Sequence, residues 1–238
     1  MNTTPRTAAA TQEAEPRLIE GTDERFTGYG VMGLPFLSGH YLALRAFVAT
    51  SVGPAYRAVW HRAPNGRWEI FTTVAPEVSC PRYFGSEAPG ERVSAINIQW
   101  SGDWMLDVTI GDRLSWRMEL ASTPATRMMT AAGGAMPDSA WDSDAVLGSM
   151  GSMAAAFLGL GRTRLHGTTP NGPLYKAAPQ RIWRVVGSRA VLDGEDLGPI
   201  GPLPEQTHLA DFWLPQRGIF FVGRASFSPV LTSTAVRN

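Results

Sequence analysis

The sequence predicts a mostly β protein: an antiparallel sheet closed into a barrel or folded into a curved sandwich, carrying one main α-helix near residues 142–160. Three observations point there. Residues 96–120, INIQWSGDWMLDVTIGDRLSWRMEL, hold three successive runs of period-two alternation, the repeat of a half-buried strand. Asn-Gly, Asp-Gly and Pro-containing turns punctuate short apolar stretches along most of the chain. The stretches do not alternate with helical segments, as a parallel sheet would require.

Taken in order, residues 1–20 are mostly Thr, Ala, Glu and Pro with little to bury, and are expected to form a disordered tail. Residues 21–232 then form a single barrel-like domain, followed by a short tail at 233–238. The segment FTGYGVMGLPFLSGH (26–40) contains a literal GxGxxG at Gly28, Gly30 and Gly33. A dinucleotide fingerprint needs a strand before it and a helix opening at its last glycine, whereas charged TDER precedes this one and Pro35 follows. A glycine-rich entry strand or lid loop is the better reading. Strands are expected at 42–48, 56–62 and 68–74, the last two joined through Asn65-Gly66. EVSCPRYFG (77–85) reads as the end of strand structure, and SEAPGE as a loop.

In the central meander, three-residue turns at 101–103 and 111–113 would set Trp100 opposite Trp104, Ile98 opposite Leu106, Val108 opposite Trp116 and Asp107 opposite Arg117. After Pro124 the chain loosens, then recovers as a helix capped by Asp142 or Ser143. Its expected apolar stripe is Val146, Met150, Met153, Phe157 and Leu160, with a lean side at Gly148, Gly151 and Gly159 and a stop at Gly161. Strands return at 163–167, 182–186, 189–192, 209–214 and 218–227.

Composition excludes several function classes. Basic and acidic residues number 21 each, so no net charge draws the chain to nucleic acid or an anionic membrane. All but one of the basic residues are arginine, Lys176 being the exception. A single cysteine, Cys80, excludes an internal disulfide. No stretch approaches the roughly 18 apolar residues of a membrane span, and the N-terminus lacks the apolar run of a signal peptide. A cytoplasmic, soluble protein without a membrane span is the expectation, its oligomeric state open.

The chain has no GxSxG, P-loop or HExxH motif, and its four histidines are scattered, so neither metal nor cofactor is expected. His61, at a strand end, is a candidate acid or base at a barrel mouth. Arg82 and Tyr83 form a polar group beside Cys80, where a thiolate near arginine would be reactive. Asp107 and Arg117 are candidates if the polar face of the meander turns inward, and a plain surface pair otherwise. Lys176 in PNGPLYKAAP could form a Schiff base if it faced an apolar cavity. Eight tryptophans and nine methionines supply much large, soft apolar surface. Trp60, Trp100, Trp104, Trp116 and Met118 are the candidate ligand-binding residues, a tryptophan-rich core being the plainer alternative.

The runs WHRAPNGRWEIFTT, SGDWMLDVTIGDRLSWRMEL and FFVGRASFS resemble those of lipocalin-like (calycin) barrel proteins of the carotenoid 1,2-hydratase kind. The similarity is one of texture over about two-thirds of the chain, and none of that group's catalytic positions is matched. It implies a lipocalin-like barrel and a hydrophobic ligand. The leading expectation is therefore a protein that binds a hydrophobic small molecule, with cofactor-independent hydration, isomerisation or cyclisation as its candidate chemistry. The rivals are a non-catalytic binding or interaction module with a Trp-rich core, and an amine-type decarboxylase using Lys176. Lys176→Arg keeps the charge and removes the primary amine, so turnover retained by this variant on any substrate eliminates the last reading.

Overall fold

The structure, a computed structural model, describes residues 3–230. Strands account for 42% of the chain and helices for 21%, most strands lying in one strongly curled sheet and His208–Leu209 and Phe212–Trp213 forming a separate pair. In chain order the elements are α1 (Pro5–Ala14), β1 (Glu24–Pro35), β2 (Tyr41–Thr50), β3 (Tyr56–Arg62), β4 (Trp68–Thr72), α2 (Pro81–Phe84), β5 (Gly90–Val93) and β6 (Asn97–Trp100). There follow β7 (Met105–Ile110), β8 (Leu114–Ala121), α3 (Pro124–Ala135), α4 (Asp144–Leu158), β9 (His166–Thr168), β10 (Leu174–Leu192), β11 (Glu195–Asp196), β12 (His208–Leu209), β13 (Phe212–Trp213) and β14 (Ile219–Phe227). No helix among the described residues is long and apolar enough to cross a membrane.

The main sheet runs β5-β4-β3-β2-β1-β14-β10-β8-β7-β6, antiparallel except for the β4–β5 pair, with β9 and β11 added to β10. Its spine is β10, 19 residues long, which pairs with β14 through Tyr175–Arg184 and with β8 through Arg184–Leu192. Register shifts at Pro179/Arg181 and Val185/Gly187 bend the strand where it changes partners. The two arms of the sheet are tied by side chains as well. Arg57 Nη1 donates to Ile96 O at 2.9 Å, and Arg113, in the β7–β8 turn, lies 3.7 Å from Glu69 Oε1 and over the Phe71 ring.

Alternation divides the apolar residues between the two faces. One face joins Tyr29, Val31, Leu42, Leu44, Val59, Phe220 and Val222 to the meander residues Leu106, Val108, Leu114, Trp116, Met118 and Leu120 in a single core. The other face carries Phe26, Tyr41, Phe47, Tyr56, Trp60, Trp68 and Phe227, covered by α2 and the 203–214 segment. A third cluster packs α3 and α4 against β10 and β14 through Met129, Leu147, Met150, Leu158, Ile182 and Ile219.

Several expectations change. The segment expected as a disordered tail forms α1, capped by the Thr4 side chain, because Ala8 and Ala9 bury against the main core despite being small, with Pro5 buried as well. The 233–238 tail lies outside the described residues. The β7–β8 hairpin has the expected register, Val108 opposite Trp116 and Asp107 opposite Arg117. The β6–β7 pair is displaced by two residues: Trp100 faces Leu106 and Ile98 faces Val108, because the turn takes in Trp104 as well. The displacement is even, so no side chain changes face. The helix after residue 142 is α4, ended by Gly159 in the left-handed region, but its buried stripe is Leu147, Met150, Gly151, Ala154 and Leu158. The lean side decides this: a Cβ on Gly151 would meet Thr163 O at 2.9 Å, so the small residues face inward and Phe157 is left exposed. The segment read as loose after Pro124 is α3, started by a Thr123/Thr126 capping box. EVSCPRYFG supplies α2 rather than the end of a strand.

Gly28 and Gly30 lie inside β1, not in a phosphate-binding turn. Ideal Cβ atoms there would stand 2.0 and 2.1 Å from the carbonyl oxygens of Ala46 and Leu44, so β2 can approach only because both side chains are absent. Gly30→Ala is expected to destabilise the fold by on the order of 3 kcal/mol or more, or to abolish soluble expression, because backbone rather than a flexible side chain would have to move. Urea denaturation measures it.

Candidate functional site

The face of β1–β3 turned away from the meander core, together with β10, β14, α2 and the segment around Phe212, surrounds a cavity of about 60 Å³ of water-accessible space. Its wall is aromatic. Phe47, Tyr56 and Trp60 come from β2 and β3, Tyr83 and Phe84 from α2, and Tyr175, Phe212, Phe221 and Phe227 from the other side. The rings lock one another in place: Tyr83 stacks on Phe227 at 3.9 Å, Phe84 tilts against Trp60 at 4.6 Å, and Phe212 meets Tyr175 at 5.2 Å. Ala177, Ala178 and Ala225 leave the space that larger side chains would fill.

The polar groups of this wall are few. Arg45, at the centre of β2, is 6% exposed. Its Nη1 donates to Val31 O at 2.6 Å and Leu44 O at 2.9 Å, and Nη2 to Met32 O at 3.2 Å. The guanidinium carbon sits 5.2 Å from the Trp60 ring and 5.6 Å from that of Phe221. Cross-strand register explains the reach. Gly30 is the neighbour of both Arg45 on β2 and Phe221 on β14, so no side chain stands between the cation and the far ring. No acidic side chain pairs with Arg45 among the described residues. Burial pulls its pKa down, partly opposed by Cys80, Tyr41 and Tyr56. Starting from the arginine range it still carries its proton at neutral pH.

Beside it, Tyr56 Oη and Cys80 Sγ are 3.4 Å apart. Burial pushes both the phenol and the thiol up, so each is neutral at physiological pH. Trp60 Nε1 is buried and has no hydrogen-bond partner among the described residues. Trp116 makes the contrast: in the other core its Nε1 donates to Ser188 Oγ at 3.0 Å.

The residues singled out from sequence scatter around this cavity. Trp60 and Tyr83 line it. The Tyr83 hydroxyl, however, donates to Glu24, which also takes Arg82 Nε at 2.9 Å and Nη2 at 2.5 Å. Burial alone would raise the Glu24 pKa, but Arg82 and Tyr83 outweigh it and hold the carboxylate below its usual range. Arg82 thus anchors α2 to β1 and does not line the cavity. Trp100, Trp104, Trp116 and Met118 belong to the meander core, on the opposite side of the sheet, and take no part in the wall. Asp107 and Arg117 pair at 2.6 Å on the solvent face of β7–β8, with Ser101 Oγ also donating to Asp107 at 2.6 Å. Lys176 follows Tyr175, so its side chain leaves the cavity face. Its Nζ bonds Asp142 O and lies 3.1 Å from Asp144 Oδ1.

His61 adjoins Trp60 and therefore points to the other face of β3. There its Nε2 is 2.9 Å from His40 Nδ1, with the rings stacked at 5.2 Å, and Glu195 Oε1 stands 3.7 Å from His40 Nε2. Burial, then the neighbouring His40, lowers the His61 pKa to about 4, partly offset by Asp193. No group of three or more His, Cys, Asp or Glu residues is placed to hold a metal among the described residues.

Sequence reasoning missed Arg45, Tyr56 and Phe221. The signal for Arg45 was present: in YLALRAFVAT it is the lone charge in a ten-residue apolar strand, where an ion must have a partner or a purpose.

No protein-family model and no curated protein matches the chain, so the calycin resemblance gains no support from those comparisons. A crystal structure of acetoacetate decarboxylase from Legionella pneumophila subsp. pneumophila str. Philadelphia 1 is similar at 9% identity, with 90% of this chain and 89% of that one covered and a TM-score of 0.41.

His61 sets a pH response away from the cavity. Its folded pKa lies below the unfolded value, so the unfolded chain binds the extra proton between about pH 6.5 and 4. Stability is intact above that window and falls with decreasing pH inside it by up to about 1.4 kcal/mol per pH unit. His61→Gln is expected to remove this component, read as the difference between the two proteins in denaturant titrations at pH 7, 6, 5 and 4.

Proposed function

We propose that the protein binds a compact small molecule with an apolar body in the cavity between the β1–β3 face, β10, β14 and α2. The observation supporting this reading is a wall of nine aromatic residues that stops short of close packing. Apolar interiors fill to crystal-like density when nothing else is to enter them, and the three alanines on this wall leave it lean where β10 and β14 pass. The cavity is too small for an extended polyene without movement of α2 or the 203–214 segment, which favours a ligand of roughly one ring or a short chain.

The chemistry available to such a ligand is narrow. Tyr56 and Cys80 are held neutral, and Arg45 is a fixed cation. The wall offers donors and positive charge and no ionised base. A cyclisation or hydration that proceeds through a carbocation would place like charges together in a low-dielectric site, which disfavours that branch of chemistry. With no ionised base in the wall to take a proton, an enolate has no route to form either, and the charge of Arg45 favours binding of a neutral or anionic body.

Indole, toluene and hexanol serve as probes. Each is expected to perturb tryptophan emission, because Trp60 borders the cavity, and to raise the melting temperature. Ala225→Leu, which fills the space, should weaken binding by about tenfold or more while leaving the fold intact. Absence of any response in the unmodified protein defeats the reading.

A further inference from the structure

Resting on that reading, we infer that the ligand is a small organic acid whose carboxylate docks on Arg45. Of the five guanidinium protons, three donate to the carbonyls of Val31, Leu44 and Met32. The Nε proton and one Nη2 proton have no acceptor among the described residues, and the group borders the cavity. Nε and Nη2 lie along one edge of the guanidinium, at the spacing that the two oxygens of a carboxylate match.

A second donor stands in the same wall. Trp60 is 1% exposed, and its Nε1–H is buried with no partner. The sulfur it lies near, Cys80 Sγ, is a weak acceptor already engaged with Tyr56. Two unfilled donors, one of them charged, therefore border one apolar space that holds no protein carboxylate. An isolated charge in such a place is costly unless a counter-charge arrives. An anion with an apolar body supplies both the charge for Arg45 and the surface for the aromatic rings. Inorganic anions meet only the first of these needs.

The other ionic clusters do not compete for this role. Arg224, also at the cavity edge, is taken by Asp138 Oδ1 at 2.7 Å, and Arg82 by Glu24. The site selects one negative charge at one place.

The test uses the unmodified protein with matched pairs at pH 7: benzoate with benzamide, phenylacetate with phenylacetamide, and hexanoate with hexanamide, followed by calorimetry and by proton–nitrogen NMR. Sodium chloride and sodium phosphate are titrated alone. Each acid is expected to bind about tenfold or more tighter than its amide, as one or two charge-assisted hydrogen bonds supply. The side-chain resonances of Trp60 Nε1 and Arg45 Nε should shift with the acid. Arg45→Met should equalise the members of each pair while keeping or raising the melting temperature, as loss of an uncompensated buried charge predicts.

Equal or weaker binding of the acids overturns this inference and leaves the apolar-ligand reading standing. Chloride or phosphate reproducing the shifts at the same concentrations, with no gain from the apolar body, overturns it as well. Binding of none of the six compounds removes both this inference and the reading on which it rests.

Discussion

A guanidinium in an apolar interior is the feature on which the candidate site depends. Arg45 is stabilised by three backbone carbonyls and two aromatic faces, all of them fixed before any ligand arrives. Carbonyl dipoles and ring quadrupoles lower the energy of a buried cation without cancelling its charge. The positive potential therefore remains directed at the cavity, with no carboxylate paired to it among the described residues. Everything else in the wall is compatible with that potential: the nearby phenol and thiol are kept neutral by the same low dielectric.

The backbone of β1 makes this arrangement possible. Gly30 has no side chain, which permits β2 to approach and leaves Arg45 in line with Phe221 across three strands. Period-two alternation then assigns adjacent residues to different duties. Trp60 faces the cavity while His61 faces the histidine pair, and Tyr175 lines the wall while Lys176 ties β10 to the start of α4. A change of register by one residue in β2 or β3 would bury His61 among aromatic rings and expel the cation from the cavity.

The fold was legible in the sequence where local rules suffice. Alternation in β7 and β8 and the Asn65-Gly66 turn act through a few neighbouring residues, and so does the glycine stop of α4, which falls at Gly159, two residues before the Gly161 expected. Where partners lie far apart in the chain, the reading failed. Alanine-rich α1 looks unable to bury anything until β1 and β14 are there to receive Ala8 and Ala9, and α3 contains Gly133 and Gly134, which lower its intrinsic propensity. The site was less legible than the fold, because its wall is assembled from residues between 32 and 227. Tryptophan content pointed toward ligand, yet seven of the eight are spent elsewhere: only Trp60 borders the cavity among the described residues, and Phe and Tyr form most of its surface. Frequency of a residue type does not say which face it occupies.

Charge separates the chemistries that a greasy cavity alone would leave equivalent. A neutral aromatic pocket attracts cations through ring quadrupoles, and a polyene-folding pocket uses that attraction to guide carbocations. Here two rings of the wall, Trp60 and Phe221, already have a cation against them. One face of each already meets this cation, and a second positive centre entering the space would meet Arg45 at short range in a medium of low dielectric. Neutral and anionic bodies meet no such barrier. Trp60, counted in the sequence among the residues for a hydrophobic ligand, thus opposes a cationic one when read with the arginine that packs against it.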